Sequence, residues 1–235
     1  MPSTNEWTLE EVAINSAHLE DFFHRDRVRL PYDLSTTVTM TAETCQHLIQ
    51  WAESPSWSLL WIEGPHIEAD DMENMVTQIA AEFIGLASEC GVPLMSYFCE
   101  LRRGELLRSG HSRETQGAIA VASALLRQMV DLLLPRFEAE FDFSKARFSP
   151  LDGTLESWDE CMAVIRELTE LLPDVVFCVI DGLHWLDDTS TDKYLKELIH
   201  LLRGGKLKVL FTTSGRSACL REELSSSETL VLPTC

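Results

Sequence analysis

No run of apolar residues in this 235-residue chain approaches the roughly 18 needed to cross a bilayer. Basic residues are few: 19 Lys and Arg stand against 38 Asp and Glu, a formal charge of -19. A surface of that sign repels phosphate backbones and anionic lipid, so neither nucleic acid nor membrane is expected as a partner. The acid is spread along the chain rather than gathered in a tail, and the plainest reading of it is solubility. No CxxC occurs among Cys45, Cys90, Cys99, Cys161, Cys178, Cys219 and Cys235, and their spacings match no zinc pattern. An odd, scattered set reads as reduced thiols serving as small apolar fillers. Also missing are a G-x-S-x-G elbow, an H-E-x-x-H pair and a glycine-rich dinucleotide fingerprint. The stretch Met1 to Glu11 is polar and acidic, unlike a secretory signal, so a cytoplasmic protein is expected.

What is present suits one α/β domain with a small extension, given the length and a hydrophobic content of 45%. Residues 1–56 read as a helical lead-in, with an amphipathic stretch from Leu9 to His24, a stop at Pro31 and a short helix from Thr41 to Ala52. Residues 57–235 form the main domain. Strands are expected at Trp57–Glu63, Val92–Cys99, Val175–Asp181, Leu207–Thr213 and Thr229–Leu232. Helical periodicity runs from Met72 through Ala87, from Gln116 to Leu134, from Thr154 to Leu172 and from Thr191 to Arg203. The aromatic, charged segment from Phe137 to Gly153 reads as a surface excursion. Strands alternating with helices predict a doubly wound, mainly parallel five-stranded sheet.

The chain is organised around Val175-Val176-Phe177-Cys178-Val179-Ile180-Asp181-Gly182-Leu183-His184-Trp185. Its apolar start has the composition of a strand buried on both faces, and a carboxylate at the end of such a strand sits where open α/β sheets bind ligands. Upstream, Trp61-Ile62-Glu63-Gly64-Pro65 leads through a loop into a helix, the layout of a phosphate-binding turn. With Leu125-Leu126-Arg127-Gln128 and Leu207-Lys208-Val209-Leu210-Phe211-Thr212-Thr213-Ser214 these segments follow in one order. Together they resemble the NACHT-type domain of STAND P-loop NTPases, the fungal set related to innate-immunity receptors in particular, over roughly Thr41 to Leu232. The resemblance implies a P-loop NTPase-like sheet, with Asp181 at the magnesium-holding Walker B position and Arg216 near a γ-phosphate sensor.

The phosphate loop departs from that pattern. A Walker A motif needs G-x-x-x-x-G-K-[ST], and counting from Gly64 and Pro65 puts Ala69, Asp70 and Asp71 at the last three places. Two anions then stand where a cation should face a polyanion, and each such reversal is worth about 4 kcal/mol at close range. Asp70 with Glu73 also fits a capping-box-like pair at a helix start, filling a vacant phosphate site with the chain's own carboxylates. A lone divalent cation held between Asp71 and Asp181 is the alternative. His184 and Trp185 occupy the places where many NACHT proteins carry acidic residues, and a structural role for His184 competes with that of a base. Gly215 precedes Arg216, and the proline of the family's sensor is missing.

The expectation is therefore a degenerate module that works through protein contacts without hydrolysing nucleotide, a full-length STAND relative being one such partner and no cofactor required. The chain also stops near the end of the nucleotide-binding core, as a shortened relative would. The competing class is an NTPase that binds Mg-ATP atypically through Gly64, Asp181 and Arg216.

Overall fold

The computed structural model describes residues 4–29, 40–66, 74–99 and 107–233. The lead-in opens with β1 (Asn5–Thr8) and α1 (Leu9–Asn15). Thr8 and Glu11 form a capping box there: the Glu11 N–H donates to Thr8 Oγ1 (3.2 Å) and the Thr8 N–H to Glu11 Oε2 (3.0 Å). The helix expected through His24 ends early because Ser16 turns its hydroxyl back onto the Val12 carbonyl (2.7 Å). Two 3-10 turns, Ala17–Phe22 and Arg25–Arg27, continue from it. After Thr41, whose hydroxyl accepts from the Thr44 N–H, comes α2 (Ala42–Glu53).

The main fold then runs β2 (Ser58–Gly64), α3 (Met75–Glu89), β3 (Leu94–Phe98), α4 (Arg113–Asp131), β4 (Arg136–Ala139), α5 (Lys145–Phe148) and α6 (Trp158–Leu171). It closes with β5 (Val176–Asp181), α7 (Asp192–Gly204), β6 (Leu207–Ser214), α8 (Ala218–Glu223) and β7 (Thr229–Val231). Five strands pair in the order β3-β5-β6-β2-β7, and every pairing is parallel. The step from β2 to β3 runs towards one edge, and the steps through β5 to β6 come back. Right-handed crossovers taken in opposite directions place their helices on opposite faces, which is double winding.

Two cores follow from that. On one face Trp61, Met95, Cys178, Ile180 and Phe211 pack with α4, α6 and α7. On the other, Leu60, Ile62, Phe177, Val179 and Leu210 meet Trp51 of α2 and Ile79 and Ile84 of α3. Lys208 lies on this second face, buried, and its ammonium group donates to the Trp51 carbonyl (2.7 Å) and Ser54 Oγ (3.0 Å), tying the end of α2 to the sheet. Among the described residues no helix is long and apolar enough to cross a membrane.

The segment from Phe137 to Gly153 is not the surface excursion expected of it. β4 pairs antiparallel with β1, Trp7 facing Phe137 in the register, and Phe143, Phe148 and Leu151 are buried in the larger core. Its apolar residues follow neither a helical nor a strand period, because they converge from a short ribbon, a turn and a single helical turn. Val12 and Leu19 of the lead-in pack into the same core.

Candidate functional site

The C-terminal tips of β2, β6 and β5 meet the first turn of α3, and Asp181 is the buried centre of that junction. Its register partner on β6 is Thr212, so both side chains point to the α3 face. Thr212 Oγ1 donates to Asp181 Oδ1 (2.5 Å) and Thr77 Oγ1 donates to Oδ2 (2.7 Å). Burial pushes the Asp181 carboxyl up to about 6, against the downward pull of those hydroxyl donors. Thr77 is held in place by Asn74, whose side chain caps α3 by accepting the Thr77 N–H (2.9 Å).

Around this carboxylate the backbone bonds to itself. The Gly182 N–H donates to the Thr212 carbonyl (2.8 Å), and the Gly215 N–H to the Gly64 carbonyl (3.0 Å). Gly182 and Gly215 turn the chain off β5 and β6 with φ of 75° and 107°, a region that glycine enters without strain. At Gly64 a Cβ would lie 2.6 Å from Val76 Cγ1. Only glycine lets the first turn of α3 press this closely on the end of β2.

His184 stands on the 3-10 turn Leu183–Leu186 that follows β5. Its Nε2 is 3.1 Å from Ser214 Oγ, while Nδ1 is buried with no hydrogen-bond partner among the described residues. Burial, with the nearby His66 adding to it, pushes the imidazole down to about 4. Trp185 packs against the same ring at 4.7 Å between centroids. Further along the turn, Asp187 Oδ2 accepts from Ser217 Oγ (2.8 Å) and from the Cys219 N–H (3.1 Å), anchoring the start of α8.

Of the residues singled out in the sequence, Gly64 and Asp181 come together at this edge, with Pro65 following Gly64 out of the strand. Ala69, Asp70 and Asp71 lie outside the described residues, and with them the Asp71–Asp181 cation pair. The cap of α3 belongs to Asn74, and the helix begins at Met75 instead of Met72. Arg216 is largely exposed, with its Nε 3.8 Å from Glu63 Oε1. Sequence reasoning missed Thr77. The signal available was the Asn74-x-x-Thr77 capping spacing, which places the helix start and hence the hydroxyl. Among the described residues no three His, Cys, Asp or Glu side chains gather as a metal-binding set.

No protein-family model and no curated protein matches the chain. Its class rests on architecture: an α/β protein of the P-loop-like, doubly wound kind, with five parallel strands flanked by helices.

Proposed function

We propose that this chain is a degenerate NACHT- or STAND-like P-loop domain that does not hydrolyse nucleotide and acts as a protein-interaction or regulatory module. The observation that carries the reading is the hydroxyl that α3 brings to Asp181. In a working phosphate loop the metal-binding hydroxyl directly follows the lysine that reaches the phosphates. Here the hydroxyl that the helix after β2 brings to Asp181 is that of Thr77, and the residue before it is Val76, a buried side chain pressed on Gly64. Counted forward from Gly64, the same two places fall on Asp70 and Asp71. Either count lacks the cation. The whole run from Gly64 to Thr77 holds no Lys or Arg, and it holds Glu68, Asp70, Asp71 and Glu73. A triphosphate entering there would meet net repulsion of about 4 kcal/mol for each close like-charge pair.

Among the described residues, the polar groups at this junction are engaged with one another, which supports the same reading. Both Asp181 oxygens already accept threonine hydroxyls, and the adjoining Gly182 and Gly215 amides are engaged by backbone carbonyls. Oxygen ligands and free amides are what magnesium and phosphate require. The partner expected on this reading is a protein, a full-length STAND relative included.

The test is a thermal-shift and calorimetric titration with ATP, ADP, GTP and GDP, each with and without Mg²⁺. A ligand at about 100 times its Kd stabilises the folded chain by about 2.7 kcal/mol, so even moderate affinity would register. No shift is expected from any of them. Stabilisation by a nucleotide would overturn the proposal in favour of an NTP-binding protein using Asp181.

A further inference from the structure

The Leu125-Leu126-Arg127-Gln128 segment has no part in the junction at Asp181, yet its two polar side chains tie α4 to two other parts of the fold. Arg127 reaches the lead-in, donating to Ser16 Oγ (2.9 Å) and Glu20 Oε1 (3.0 Å). Gln128 reaches the sheet. Among the described residues β3 is an edge strand, bonded to β5 on one side only. The Cys99 N–H donates to the Asp181 carbonyl and the Phe177 N–H to the Pro93 carbonyl. Odd-numbered residues of β3 therefore turn their backbone groups to β5, and Leu94, Ser96 and Phe98 turn theirs outward. Ser96 is the middle one of the three. Its N–H donates to Gln128 Oε1 (2.9 Å), and its carbonyl accepts from Gln128 Nε2 (2.9 Å). The side-chain amide thus makes the pair of bonds that a residue of a sixth strand would make. A further bond from Nε2 to the Ala124 carbonyl (3.0 Å) fixes it in that pose, and the Ser96 hydroxyl donates to the Val28 carbonyl across the same edge (2.5 Å).

The far edge is blunted in another way. β7 spans only Thr229–Val231, and the Leu232 N–H donates to the Glu63 carbonyl. The even residues there face β2, so the next outward-facing place after Val231 belongs to Pro233, which has no N–H to offer. An open edge of buried apolar strands is a template for pairing with another chain.

We infer that Gln128 seals the β3 edge against strand addition by a second copy of this chain, its amide standing in for the missing neighbour strand. Gln128→Leu keeps size and helix propensity and removes both bonds. In analytical ultracentrifugation the variant is expected to show a mass rising with concentration towards twice the 26.6 kDa of one chain, while the parent shows no such rise. Adding Leu94→Pro, which removes an outward-facing donor from the same edge, is expected to abolish that rise. The inference is overturned if Gln128→Leu sediments as the parent does, or if its association survives Leu94→Pro. Should Gln128→Leu fail to fold, hydrogen exchange of the parent reads the same bond. The Ser96 amide is expected to exchange as slowly as those of Met95 and Tyr97, and exchange ten or more times faster at Ser96 overturns the seal.

Discussion

At Asp181 two effects oppose each other: burial favours the proton-bound form, and the hydroxyls of Thr77 and Thr212 favour the carboxylate. Burial wins, and the folded value of about 6 lies above the ordinary 3.8. A group raised in this way contributes stability that is complete below about pH 3.8 and lost as pH climbs through about 6. His184 is shifted the other way, from 6.5 to about 4, so its contribution is present above pH 6.5 and lost as pH falls through about 4. Over the interval between, the two slopes offset each other. Asp181→Asn removes one of them, with one threonine hydroxyl turning from donor to acceptor. Urea unfolding is expected to find the variant more stable than the parent at pH 8 by about 1–3 kcal/mol, since each tenfold change in proton affinity is worth about 1.36 kcal/mol. The gain should vanish below about pH 4, and the variant should lose stability with acid more steeply than the parent. A gain that does not change with pH would mean that the carboxyl is not held high.

Among the elements, the β1–β4 ribbon and the turn behind it build core that their composition conceals. Phe143 is fully buried. It meets Phe137 at 5.9 Å, Trp7 at 6.1 Å, Phe148 at 6.4 Å and Phe141 at 6.5 Å between ring centroids. Phe143→Ala is expected to cost about 3–5 kcal/mol in denaturant unfolding, the usual loss for a buried phenylalanine. A loss below about 1 kcal/mol would return this segment to the surface. The central strands were legible because a strand covered on both faces is one continuous apolar run, and β2, β3, β5, β6 and β7 fall within one or two residues of their expected bounds. β1 and β4 were not, since Asn5-Glu6-Trp7-Thr8 acquires its meaning only from a partner far along the chain. Gly64 and Asp181 were legible as strand ends. Thr77 was not, because its role depends on where α3 begins, and Asn74 decides that.

For the molecule as a whole, a charge of -19 loads the compact state with self-repulsion. Raising ionic strength from about 0.01 M to about 0.15 M shortens the screening length from about 30 Å to about 8 Å. The melting temperature is expected to rise over that range. A fall would mean that ion pairs such as Arg147 with Glu160 and Glu167 outweigh the repulsion.

The strand order also has a consequence in time. β2 carries Gly64 and lies inside the sheet, yet its only neighbours are β6 and β7, which the chain supplies last. During synthesis β2 leaves the ribosome well over a hundred residues ahead of its first partner. Through that interval an apolar strand waits with both sides unpaired, the kind of species that aggregates or calls on chaperones. Parallel pairings so distant in sequence close slowly. A chain released before Leu207 would hold β2 and neither of the strands that flank it.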